Sequence, residues 1–223
     1  MTRVFFIRHG EAEGNIDRIF HGHYNSNLTE NGKEQVSLVA KRLANEPFDA
    51  IYSSDLNRAY ETAKAIAKGR NIEIIKDTRL REVYGGKWEG VPWEQLPLLF
   101  PDSFGHWVND PSKLSMPEGE TMVEFQNRIL NVVCEIVSNN AKKVICIATH
   151  GTAIKVLLCK YYGNELSDMP DMKWHDNASV TVVDFDDNCN SIVRIEGDNA
   201  HLGELSTLAK QSWWRKDPAK NEE

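Results

Sequence analysis

Apolar residues in this chain come as short unbroken runs and as helical stripes, and the two alternate. Val4-Phe5-Phe6-Ile7 is a run of β-branched and aromatic residues, so Thr2 to Ile7 is expected as a strand buried on both faces. The polar, glycine-bearing stretch from Glu11 to Asn27 is expected as a long loop, a length usually tied to function. With Thr29 as N-cap, Val36, Val39, Ala40 and Leu43 recur at helical spacing up to Asn45-Glu46-Pro47. Asp49 to Ser53 reads as a short strand. Ser54 reads as the cap of a helix whose buried stripe is Leu56, Ala59, Ala63 and Ile66. Gly69-Arg70-Asn71 closes that helix, and Ile72 to Ile75 is a third strand.

The pattern breaks from Leu80 to Pro117, where Trp88, Trp93, Trp107, Phe100 and Phe104 mix with five prolines. One short helix, Trp93 to Phe100, and ordered loops are expected there, forming a lid whose aromatics first of all make its own small core. Thr121 to Glu124 fits a capping box, and Met122, Phe125, Ile129, Val132 and Ile136 follow as the clearest helical stripe. Lys143 to Thr149 is a fourth strand. A helix with Ile154, Leu157, Leu158 and Tyr161 inside comes next. Residues 178–185 and 191–195 read as a hairpin around an Asp186 to Asn190 turn. The charged tail from Lys216 is expected to fray, with Trp213-Trp214 packed on the body or marking a subunit contact. The βαβαβ order points to an α/β layer with a mostly parallel sheet, which binds ligands beyond the carboxyl ends of its strands.

Composition changes this picture little. Of 223 residues, 41% are hydrophobic and 26% charged, as in ordinary globular proteins. A net charge of −7 without a Lys/Arg block argues against nucleic acid as a partner, though local cations can still focus on an anionic substrate. The four cysteines, Cys134, Cys146, Cys159 and Cys189, form no CxxC pair and are expected to be reduced core residues. No signal sequence opens the chain and no apolar run is long enough to span a membrane, so a cytoplasmic protein with no membrane partner is expected. A homodimer is compatible with the sequence.

The candidate chemistry lies where two apolar runs stop in the same way. Val4 to Ile7 ends in Arg8-His9-Gly10-Glu11, and Val144 to Thr149 ends in His150-Gly151. On neighbouring strands, the two histidines would face each other across one anion site, with Arg8 and Arg58 supplying guanidinium forks. Arg58 falls in the first turn of its helix, where the dipole opposes a cation and suggests a nearby anion. The Gly151 and Thr152 N–H groups, opening a helix, could point at an oxyanion, and Gly10 and Gly151 would permit close backbone approach. A histidine beside two arginines should be neutral. The residues alone indicate a phosphate or carboxylate site, with one histidine a candidate nucleophile.

Several segments, in order, resemble the histidine phosphatase superfamily, in the branch of cofactor-dependent phosphoglycerate mutases and related phosphatases. Arg8-His9-Gly10-Glu11 with Asn15 is similar to its RHGE…N signature. Phe20-His21-Gly22 through Leu28-Thr29 and Gly32 resembles QGxxDxPLTxxG, and Ser53-Ser54-Asp55-Leu56 with Arg58-Ala59 and Thr62-Ala63 resembles SSxLxRAxxTA. Leu80-Arg81-Glu82 with Gly86 and Trp88-Glu89-Gly90 resembles LxExxxGxWEG. Pro117 to Glu120 is similar to PxGE, and Thr149-His150-Gly151 to the second histidine motif.

The resemblance implies a phosphoglycerate mutase-like fold. That fold is a three-layer α/β/α sandwich with a mostly parallel sheet, an antiparallel C-terminal hairpin and an inserted lid at about 83–118, in one domain over about 1–215. It implies that His9 becomes phosphohistidine. Arg8, Arg58 and His150 would hold the equatorial oxygens, with Asn15 adding a hydrogen bond and Gly22 and Gly151 lying at the phosphate. Glu82 would act as acid and then base, its pKa raised by burial and by the phosphate. No metal and no cofactor is implied. Three departures stand out: His21 replaces Gln, Asn25 replaces Asp, and Asn27 replaces Pro, so His21 bears on specificity. Val83 to Gly90 is like the phosphatases rather than the mutases. The expected activity is therefore metal-independent hydrolysis of a small phosphomonoester. The alternatives are a phosphoglycerate mutase, or a non-catalytic phosphate-binding protein on the same fold. A metal site built on His21, His23, His9 and His150 is the rival enzyme class.

Overall fold

A computed structural model describes residues 1–210; the expected frayed tail and Trp213-Trp214 lie outside the described residues. In chain order the elements are β1 (Thr2–Arg8), α1 (Glu13–Ile16), α2 (Glu30–Arg42), β2 (Ala50–Ser53), α3 (Asn57–Ala67) and β3 (Ile74–Lys76). They continue with α4 (Leu96–Leu99), α5 (Pro101–Asn109), α6 (Met122–Asn139), β4 (Val144–Thr149) and α7 (Gly151–Tyr161). The hairpin β5 (Val180–Phe185) and β6 (Ser191–Asp198) and the short α8 (Thr207–Lys210) complete them.

The six strands form one sheet in the order β3-β2-β4-β1-β5-β6. β1 to β4 run parallel, while β5 is antiparallel to β1, and β6 to β5. Successive side chains of a strand point to opposite faces, and both faces of β1 are buried. Phe5 and Ile7 join Val39, Leu43, Ile51 and Ile66 under α2 and α3. Val4 and Phe6 join Phe125, Ile129, Val132 and Ile154 under α6 and α7. The result is the mostly parallel sheet that the βαβαβ order implied, set in the three-layer α/β/α sandwich that the resemblance implied.

Two caps form as the sequence suggested. Thr29 Oγ1 accepts from Gly32 N at 2.9 Å, and Thr121 and Glu124 form the reciprocal box at the start of α6. Ser54 departs from expectation. The N-cap of α3 is Leu56, with no side-chain cap, and Ser54 turns to His150 instead. The lid also holds more helix than expected: α4 covers only Leu96–Leu99, and α5 follows at once from Pro101. Pro101 sits at the first helical position, where a fixed φ and a missing N–H cost nothing. Trp88 is fully buried beneath the lid, 5.4 Å between ring centroids from Phe20.

The cysteines need a correction. Cys146 and Cys159 are free and buried, but Cys134 on α6 is bonded to Cys189 in the β5–β6 turn. Cys189 adopts φ 62°, so the turn swings its side chain toward α6 in a way its place in the sequence does not announce.

Candidate active site

Strand register creates the histidine pair. Arg8 pairs with Thr149 in the parallel β1–β4 ladder, so the next residues, His9 and His150, leave the sheet level with each other. His9 N donates to Thr149 O at 2.9 Å, and the two rings stand edge to face with centroids 5.2 Å apart. The turn after His9 is fixed from both sides: Gly10 N donates to Thr62 Oγ1 at 3.1 Å, and Asn177 Nδ2 donates to His9 O at 3.0 Å. Gly10 is needed for packing rather than for contact with a ligand. A Cβ there would stand 2.7 Å from Val36 Cγ1 and 2.8 Å from Gly32 O.

His9 Nδ1 lies 2.7 Å from Gly10 O. Only an N–H can satisfy a carbonyl, so the ring carries its hydrogen on Nδ1 and keeps a lone pair on Nε2. Both His9 and His150 are held well below the ordinary histidine pKa. Burial is the first cause for each, with the Arg58 charge second. The expected neutrality holds, but low dielectric contributes more than the arginines. His150 lies beneath the cleft surface, fully buried, with Nε2 2.8 Å from Ser54 Oγ and Nδ1 without a protein partner.

The guanidiniums are oriented by main-chain carbonyls. Arg8 donates to His175 O, and Arg58 donates to Gly22 O and Tyr24 O, each at 2.8 Å. Both keep a buried Nε with no protein partner. Burial lowers the Arg58 pKa to about 10, with Glu82 and Glu89 opposing, so it stays charged at neutral pH. Glu82 and Glu89 are the anions that its place in the first turn of α3 suggested. Gly151 admits Arg8: a Cβ there would meet Arg8 Nε at 3.1 Å.

Glu82 lies across the cleft. Its Oε1 accepts from Val83 N at 2.9 Å and its Oε2 from Thr152 N at 3.0 Å. The Thr152 N–H expected to face an oxyanion therefore holds this carboxylate. Burial raises the Glu82 pKa against those two bonds and the Arg58 charge. The loop carrying it is pinned by Arg128 of α6, which sequence reasoning missed. That guanidinium donates to Arg79 O at 2.7 Å and to Arg81 O and Glu82 O at 3.1 Å, and binds both oxygens of Glu120 at 2.7 Å. His23 adds a ring nitrogen 2.9 Å from Glu82 O, turned away from His21 and the cleft. The histidines of the rival metal reading thus do not converge.

Arg8, His9, Arg58, Glu82 and Gly151 line one cleft of about 250 Å³ with Asn15, His21 and Gly22. His21 has its Nε2 buried without a protein partner, and burial followed by the Arg58 and Arg8 charges lowers its pKa to about 3. Gly14 makes room for it, since a Cβ there would overlap the imidazole. Asn15 Oδ1 accepts from Ala12 N at 3.0 Å and from Asn177 Nδ2 at 3.3 Å. One wall comes from the far end of the chain: Thr207 and Leu208 are held by the buried carboxylates of Asp176 and Glu11 and by Gln35. Asn177, Ser54 and this C-terminal wall were also missed. Only Ser54 left a signal, as the second serine of its motif.

A level pair of neutral histidines, two fixed guanidiniums and an opposed acid make a cleft suited to an anion, with a ring lone pair on His9 facing it. The comparisons give the class. The model of the histidine phosphatase superfamily (branch 1) matches residues 4–198, and the chain belongs to that family. Phosphoserine phosphatase 1 of Hydrogenobacter thermophilus is 32% identical over 95% of this chain and 100% of its own. Probable phosphoglycerate mutase GpmB of Yersinia pestis is 32% identical over 91% of this chain and 95% of its own. The solved structure of Bacillus stearothermophilus YhfR superposes with a TM-score of 0.87 at 33% identity, covering 91% of this chain and all of that one. The fold is phosphoglycerate mutase-like, and the protein is a phosphomonoester hydrolase of the phosphohistidine type acting on a small phosphorylated substrate.

Proposed function

We propose that His9 Nε2 attacks the phosphorus of a phosphomonoester. The P–O bond to the leaving alcohol breaks as the P–N bond forms, and Glu82 gives that oxygen its proton. Glu82, now a carboxylate, takes a proton from water. The water attacks phosphorus, the P–N bond breaks, and phosphate leaves with His9 neutral again. Arg8, Arg58 and His150 bind the equatorial oxygens, where charge is stabilised in phosphoryl transfer, aided by Asn15 and Gly151. Ser54 donating to His150 Nε2 leaves the hydrogen on Nδ1, the atom without a partner, as the phosphate donor. His21 and Gly22 contact the substrate beside the phosphate.

One observation carries the reading. The Nδ1 bond to Gly10 O leaves the His9 lone pair on Nε2, at a cleft wall shared with two buried arginines. Net hydrolysis is favoured over a mutase cycle by the phosphatase-like segment Val83 to Gly90. The proposal includes one domain over about 1–215 with its lid at about 83–118, no metal requirement, a homodimer and a cytoplasmic location. A cytoplasmic location requires the Cys134–Cys189 bridge to persist in a reducing compartment, where such bonds are rare. Described helices include none long and apolar enough to cross a membrane.

The test is turnover of a phosphomonoester panel before and after EDTA dialysis, with a coupled 3-phosphoglycerate assay primed by the bisphosphate. Phosphate release that survives EDTA and exceeds mutase flux is the expected result. Mutase flux in excess selects the phosphoglycerate mutase, and phosphate binding without turnover selects the non-catalytic reading.

A further inference from the structure

The cleft has two ends of opposite character. Its apolar lining is Ile19, Trp93, Phe104, Trp107 and Val108, while Trp174 stands beside Gly151 and Arg8 at the phosphate end. The lid aromatics are backed by each other: Trp93 and Trp107 lie 5.5 Å apart between ring centroids, and Phe20 and Trp93 5.3 Å. The wall is therefore a fixed apolar surface rather than loose side chains. Among the described residues lining the cleft, Glu82 is the one carboxylate, while Arg8, Arg18 and Arg58 are cations.

Charge and shape together limit the leaving group. An ammonium on the leaving group would meet the Arg18 charge without a carboxylate of its own, since Glu82 is already assigned to the scissile oxygen. A zwitterionic group such as that of phosphoserine would also lose its hydration against tryptophan and phenylalanine faces without a compensating bond. An aromatic or aliphatic group gains by the same contacts. A cavity of about 150 Å³ holds a benzene ring, so about 250 Å³ accommodates one ring and a phosphate.

Resting on the phosphatase reading above, we propose that the substrate is the phosphomonoester of an apolar or single-ring alcohol without a cationic group. Its body lies against the Trp93–Trp107 wall of the cleft. Arg18, at the rim, tolerates a distal anionic group. The proposal sets this chain's substrate apart from the phosphoserine in the name of its 32% identical relative.

The test compares kcat/KM for 2-phenylethyl phosphate, phosphoethanolamine and O-phosphoserine, with p-nitrophenyl phosphate as control. All but the control are phosphates of primary alcohols. The ammonium makes phosphoethanolamine the intrinsically more reactive one, so the comparison is biased against the proposal. We expect 2-phenylethyl phosphate to be preferred at least tenfold over both amines. Val108 is 47% exposed, so Val108→Glu leaves the fold intact and puts a carboxylate in the cleft. It is expected to cut that preference severalfold, as is Trp107→Ala. A wild-type preference for O-phosphoserine or phosphoethanolamine, or no change of preference in Val108→Glu, overturns the proposal. Absence of turnover with every substrate, the control included, overturns the phosphatase reading instead.

Discussion

The role given to Glu82 makes the sharpest demand on chemistry. Glu82→Gln keeps the shape of the side chain but removes the transferable proton. Its structural cost follows from the two bonds the carboxylate accepts, from Val83 N and Thr152 N. A glutamine oxygen can accept only one of them, and its NH2 then faces an N–H donor. One lost hydrogen bond is worth about 1 kcal/mol, or about fivefold in rate, for any substrate. Losing a general acid costs about 10²- to 10⁴-fold, but only where the leaving group needs the proton. Measured as kcat/KM, which excludes the later hydrolysis of the phosphoenzyme, the variant should lose at least about 100-fold on 2-phenylethyl phosphate and about fivefold on p-nitrophenyl phosphate. Because burial raises the Glu82 pKa, the acid form persists above the usual carboxylate range. Wild-type kcat/KM for the alkyl phosphate should therefore fall as pH rises through that raised value, and this limb should vanish in the variant. Equal losses on both substrates, or an unchanged limb, would refute the assignment.

The remaining predictions address the frame around that chemistry. Arg128→Ala releases three carbonyls of the Glu82 loop, so kcat should drop more for alkyl than for p-nitrophenyl phosphate. Arg128→Lys should not restore it, since an ammonium cannot reproduce the five-donor fork. A uniform loss would make Arg128 merely structural. His9, His150 and His21 are neutral when folded but take up protons near pH 6.5 when unfolded, so stability is lost as pH falls below that value. Each contributes up to about 1.4 kcal/mol per pH unit. In phosphate-free urea titrations at pH 7.5 and 5.5, His21→Gln should lose about 1 kcal/mol less than wild type; identical losses would show that His21 titrates normally. The Cys134–Cys189 bond spans a sequence separation of 55. Loop entropy predicts that Cys134→Ser costs about 4 kcal/mol, with two of the four thiols of the unfolded wild type reactive. Four reactive thiols would contradict the bridge.

What the chain reveals in advance depends on how local the cause is. β1 and β4 are legible because each is an unbroken apolar run ended by a histidine and a glycine, and their pairing follows once both are taken as parallel neighbours. The caps at Thr29 and Thr121 are legible because acceptor and donor lie three residues apart. Helix α5 was hidden by Pro101, which reads as a breaker but opens a helix equally well. The pairing of Cys134 with Cys189 follows from no spacing rule. Arg128, Asn177 and the wall at Thr207 and Leu208 reach the site across sequence separations that no periodicity encodes. The neutrality of the histidines was anticipated for the lesser cause, because sequence shows neighbouring charge but not depth of burial.

The central claim is that phosphorus is carried on His9. Its most direct test is to mix Glu82→Gln with p-nitrophenyl phosphate, quench in alkali, which preserves phosphohistidine, and map the modified peptide by mass spectrometry. Stoichiometric phosphate on His9 is expected within the first turnover, and none in His9→Ala. Phosphate on His150 or Ser54, or burst-free turnover with no modified peptide, would contradict it.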